Sequence, residues 1–89
     1  MRAVLTVVGK DTVGILAGVS GECAKHNVNV IEVSQTIMQD IFCMIMIVDV
    51  SSLDIPFGDF ADIMCDLGNA KNLKIHTMHE KIFNSMHKI

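Results

Sequence analysis

Ile41-Phe42-Cys43-Met44-Ile45-Met46-Ile47-Val48-Asp49-Val50 is apolar on both parities, with Cys43, Ile45 and Ile47 on one side and Phe42, Met44, Met46 and Val48 on the other. A half-buried strand alternates apolar with polar residues, so an unbroken apolar run of this length reads as a strand covered on two faces. It belongs in the middle of a sheet. Ala3 to Val8 has the same two-sided character and ends at Gly9, which makes it a second central strand. In the stretch opened by Asn29, Ile31, Val33 and Ile37 alternate with Glu32, Ser34 and Thr36, the pattern of an edge strand with one wet face. Leu73 to Met78 reads as a last, half-polar strand.

Two helices fit between these strands. Asp11 or Thr12 can cap the first, whose apolar stripe is Ile15, Leu16, Val19 and Cys23 and which ends at His26-Asn27. Pro56 opens the second, where Phe57, Phe60, Ala61, Met64 and Leu67 recur at helical spacing until Gly68 offers a stop. The order is β-α-β-β-α-β, followed by a short amphipathic tail over about residues 79–89 carrying Ile82, Phe83, Met86 and Ile89. With right-handed crossovers, two such split units give an α+β, ferredoxin-like sandwich with an antiparallel sheet of order 4-1-3-2 and both helices on one face. That topology places the first and third strands centrally, and these are the two that read as apolar on both sides. The other face of the sheet is then expected to carry one parity of Met and Val side chains with no long helix over it. Because monomers seldom leave such a patch uncovered, the tail and a second copy of the chain are the expected covers, and the molecule is expected to be a homodimer.

At 89 residues the chain is expected to be a single domain over residues 1–89. Trp and Tyr are absent, so the aliphatic residues, the Met and four Phe must fill the core. A net charge of −3 without a basic stripe removes the electrostatic basis for binding nucleic acid. No apolar run approaches the ~20 residues of a membrane span. Cys23, Cys43 and Cys65 lack a C-x-x-C pairing and lie in apolar surroundings, which reads as buried reduced thiols in a cytoplasmic protein.

One segment has a specific binding mechanism. Gly9-Lys10-Asp11-Thr12-Val13-Gly14-Ile15 sits where the first strand hands over to the first helix. Glycines there permit close backbone approach, and the free N–H groups of a helix's first turn, at the positive end of its dipole, suit a carboxylate or phosphate. A ligand-free, glycine-rich capped turn explains the same residues, and no Gly-Lys-Ser/Thr follows at the spacing a P-loop needs.

The segments AVLTVVGKD, GILAGVSGECAKHNVNV, IEVSQTIMQDIFCMIMIVDV and KIHTMHEKIFNSMHKI together resemble the ACT domain family over nearly the whole chain. Gly9, Asp11, Gly14 and Ile15, then Asn29, then Ser34, Gln35 and Thr36, and in the tail Glu80, Ile82, Phe83, Asn84 and Met86 carry the resemblance. It implies a module that senses a small molecule, commonly an amino acid, at an interface between two copies. Gly9, Lys10, Asp11, Thr12, Val13, Gly14 and Ile15 of one copy would form one wall, the backbone of Val13 to Ile15 holding the ligand carboxylate, and Asn29, at the start of the second strand of the neighbouring copy, would orient the other side. The implied partners are a second copy, an amino-acid ligand and a regulated enzyme or regulator, with no cofactor.

The remaining candidates are blander. His76 and His79, with Glu80 and Cys65, are metal-ligating types, but residues three apart on a strand point to opposite faces, and surface histidines are the expected reading. Ser20 and Ser34 lack a nucleophile signature such as G-x-S-x-G, so a binding module rather than an enzyme is expected. Met44 and Met46 fit core or dimer packing. A constitutive interaction module with an empty turn stays open beside the ligand-responsive one.

Overall fold

A computed structural model describes residues 1–10 and 14–86 of the chain, with the side chain of Met86 outside the description. Its elements are β1 (Arg2–Gly9), α1 (Ile15–Lys25), β2 (Asn29–Met38), β3 (Ile41–Asp49), α2 (Phe57–Ala70), β4 (Leu73–His79) and α3 (Glu80–Met86). The four strands form one antiparallel sheet of order β2-β3-β1-β4, the ferredoxin-like topology expected from the pattern of the strands.

Register sorts the two-sided strands. Ala3, Leu5 and Val7 of β1 lie opposite Val48, Met46 and Met44 of β3, and all of them pack with Ile15, Val19 and Cys23 of α1 and Phe60 and Met64 of α2 in one buried cluster. This is the helix face. The far face carries Val4, Thr6 and Val8 opposite Ile47, Ile45 and Cys43. The expectation that Met lines the uncovered face is therefore corrected: Met44 and Met46 fill the core beneath the helices, and the far face of β3 is Ile and Cys. Phe42, as the first helix-face residue of β3, sets that parity.

The tail settles on its own chain. α3 packs against β1 and β4 and is tied to the start of β1 by the Arg2–Glu80 ion pair, and Val4 at that end of the far face is 1 % exposed. Of the apolar tail residues, Phe83 is half-buried and Ile82 exposed, while the Met86 side chain, His87 and Ile89 lie outside the described residues. At the other end of the far face, Val8, Ile41 and Ile45 stay exposed.

Several local readings change. Leu16 is exposed because the buried stripe of α1 is Ile15, Val19 and Cys23, spaced four apart, and Leu16 sits about 100° round from it. Gly68 does not stop α2, which runs on to Ala70 and reverses at Asn72, a residue that tolerates the left-handed φ of 60°. Gly68 is instead buried where α2 crosses β4. In β2 the register jumps between Val30 and Glu32, so Ile31 is a bulge residue and does not share a face with Val33 and Ile37.

The cysteines divide as well. Cys23 is buried, Cys43 half-buried on the far face and Cys65 exposed on α2, so only the first matches the expectation of buried thiols. Burial, and secondarily the Glu22 carboxylate, push the Cys23 thiol up to about 11. Its folded value lies above the ordinary 9.0, so the stability contributed by the neutral thiol is complete below that range and is lost as pH climbs toward about 11. A thiol-reactive chromophore at pH 8 is expected to label Cys65 first, Cys43 more slowly and Cys23 only after denaturation. Rapid labelling of all three in the native protein would contradict this packing.

Candidate functional site

The turn from β1 into α1 is positioned by its two ends. Gly9 closes β1 opposite Phe42 on one side and Leu73 on the other, and a Cβ there would overlap Leu73 Cδ2. Any larger residue at this position would require the buried Leu73 side chain to move. Ile15, 2 % exposed, pins the start of α1 into the core. Between them, Gly14 is the N-cap of α1 with φ of 74° and ψ of 5°, a left-handed conformation that a β-branched residue would hold only under strain. Among the described residues nothing lies within 4 Å of where its Cβ would be, and it is the conformation that favours glycine here.

Among the described residues no side chain caps this helix start. Gly14 supplies no capping side chain, and the first turn of α1 contains no acidic residue. The first intrahelical bond runs from the Gly18 N–H to the Gly14 carbonyl at 2.9 Å, so the N–H groups of the preceding turn have no helical acceptor. With the dipole of an eleven-residue helix behind them, they suit an oxyanion. Lys10 adds an exposed ammonium 4.0 Å from Asp40 in the β2–β3 turn, a pair too solvated to hold it in place. Asp11, Thr12 and Val13, expected as caps and ligand contacts, lie outside the described residues.

Asn29 is elsewhere. It aligns with Asp49, which aligns with Arg2, whereas Gly9 aligns with Phe42. Seven residues of strand separate these positions, roughly 23 Å. One chain therefore brings Gly9, Lys10, Gly14 and Ile15 together and leaves Asn29 at the opposite end of the sheet.

Two groupings escaped the sequence reading. Around the turn, Val8, Leu16, Ile37, Met38 and Ile41 are large apolar residues at least 40 % exposed. Hairpin pairing would have placed four of them at one sheet end. At the other end, a cavity of about 420 Å³ is lined by Met1, Arg2, His79, Glu80 and Lys81. His79 stacks on Phe57 with ring centroids 4.3 Å apart, and it faces the helices while His76 lies opposite Thr6 on the far face. Among the described residues no three His, Cys, Asp or Glu side chains converge as metal ligands. No described helix is long and apolar enough to cross a membrane.

Comparison with known proteins agrees with this architecture. The ACT domain model matches residues 3–56, from β1 through β3 and across both parts of the expected site. A UPF0237 protein of Listeria innocua is 48 % identical over 89 residues, covering 100 % of both chains. An ACT domain protein from Streptococcus pneumoniae superposes with a TM-score of 0.82 at 37 % identity, covering 98 % of each chain. A formyltetrahydrofolate deformylase from Pseudomonas syringae shares the fold over 88 % of this chain and 27 % of its own, with a TM-score of 0.77 and 23 % identity. On the strength of the family match and the full-length relative, the chain belongs to the ACT domain family, whose members are small-molecule-binding regulatory domains.

Proposed function

We propose that the protein is a homodimeric regulatory module that binds a free amino acid between its two copies and carries out no chemistry on it. The observation that supports this most directly is the helix start at Gly14, whose first-turn N–H groups have no helical acceptor and suit a carboxylate, with Asn29 stranded at the far end of the same sheet. A site using both needs a second chain.

The edge of the sheet offers a way to supply it. β2 is ten residues long, and β3 is its one neighbour in the sheet. Antiparallel pairing of two β2 strands about a two-fold axis would set the start of one against the end of the other. Asn29 of one copy would then reach the sheet end that carries its neighbour's Gly9–Ile15 turn. Exposed Ile37, together with Ile31 at the bulge, would be buried along the seam. The partner that reads the bound state is a separate enzyme or regulator.

Thermal denaturation with each common amino acid tests this reading. A ligand at a hundredfold its dissociation constant is expected to stabilise the protein by about 2.7 kcal/mol. Gly14→Val should remove that stabilisation while leaving a dimer in sedimentation, and Ile37→Lys should give a folded monomer. No response to any amino acid would favour the constitutive interaction module. A ligand that still stabilises Gly14→Val would place the site away from this turn, and an Ile37→Lys dimer would rule out the β2 seam.

A further inference from the structure

We propose that the cavity between the start of β1 and the β4–α3 junction is a second site, selective for small oxyanions that carry more than one negative charge, either phosphate-bearing or polycarboxylate. It is separate from the Gly9–Ile15 turn, being at the opposite end of β1, and it does not depend on the dimer. At about 420 Å³ it has room for a metabolite-sized anion.

The charges on its wall are unevenly matched. Arg2 is the chain's single arginine, in a protein of net charge −3, and it lines this cavity together with Lys81. Glu80 is the acidic residue on the same wall, and its carboxylate sits on the Arg2 guanidinium. A guanidinium presents a planar fork of donors that matches a carboxylate or phosphate, so Glu80 stands where one group of a bound anion would go. The pair is open to exchange, because the two side chains are 50 % and 29 % exposed. Lys81 has no ion-pair partner among the described residues and is exposed beside it. His79 completes the lining, and its ring is stacked on Phe57.

These features also select the charge of the ligand. A monocarboxylate gives Arg2 no more than Glu80 already gives it. An anion with two or more charges can take the guanidinium and engage Lys81 at the same time, which Glu80 cannot do. Binding thus exchanges an intramolecular carboxylate for an external one, and it unties the first residue of α3 from β1.

The test is an amide NMR titration of the full chain with inorganic phosphate, citrate and acetate, at ionic strength held constant with chloride. Phosphate, citrate or both should give saturable shifts at His79, Glu80 and Lys81, and acetate should not. Arg2→Gln and Lys81→Gln should each weaken binding at least fivefold, whereas Glu80→Gln, which removes the internal competitor, should tighten it. Because Lys81 and Glu80 are surface residues of α3, these two variants keep the test intact if Arg2→Gln fails to fold. Shifts confined to Gly14, Ile15 and Leu16, an equal response to acetate, or Glu80→Gln binding no tighter than the parent would each overturn the proposal.

Discussion

Phe60→Ala is expected to cost about 3 kcal/mol and to lower the melting temperature by roughly 15 °C. Phe60 is fully buried on α2, at the centre of the cluster that joins both long helices to Leu5 and Met46. Truncating a buried Phe to Ala costs about 3–5 kcal/mol, part of it for the cavity left behind. Here the surroundings favour the lower end. Met44, Met46 and Met64 are flexible side chains in the same cluster and can lean into the vacated volume. Even so, a small domain holds only about 5–15 kcal/mol in total, so the variant should lie close to its unfolding threshold. Urea denaturation followed by helical circular dichroism measures the loss, and a cost below about 1.5 kcal/mol would show that this ring is not central to the core.

Gly68→Leu should be about as damaging, at about 3 kcal/mol. Replacing a helical glycine ordinarily helps, by about 1 kcal/mol for alanine. At this position a Cβ would lie 2.9 Å from Ile75 Cγ1 and 2.9 Å from the Leu73 carbonyl oxygen. The Ile75 side chain could rotate away, but the carbonyl belongs to the backbone of β4 and cannot. α2 would have to lift from the strand, opening the end of the core where Leu73 and Ile75 are now buried. The same denaturation experiment on Gly58→Leu is the control, since among the described residues nothing lies within 4 Å of a Cβ at Gly58. Equal stability for the two variants would refute the close approach.

The contrast between these glycines marks how far sequence could carry the reading. The two-sided apolar runs at Ala3–Val8 and Ile41–Val50 determine which strands are central, and with the handedness of crossovers that suffices for the sheet order. Gly68 carried no such signal, because a glycine that ends a helix and one that lets a strand approach look alike in a single sequence. The bulge at Ile31 is similar: alternation through Val33 and Ile37 suggested one continuous face, and the extra residue shows only in the pairing with β3. Which face of β3 the helices cover was also hidden, since both parities are apolar. At the candidate turn, the residues themselves pointed to Gly9, Gly14 and Ile15, whereas the placing of Asn29 on a neighbouring copy came from the family resemblance and its distance within one chain depends on register. The cavity at Arg2 was invisible because residues 2 and 80 meet only through the pairing of β1 with β4.

Gly14 and Asn29 lie at opposite ends of one sheet, and that arrangement has a consequence for stoichiometry. A molecule that touches both residues must straddle two chains, and a two-fold pair presents that opportunity twice. Its apparent affinity would then fall on dilution as the pair dissociates, and saturating it would hold the chains together at concentrations where they otherwise separate.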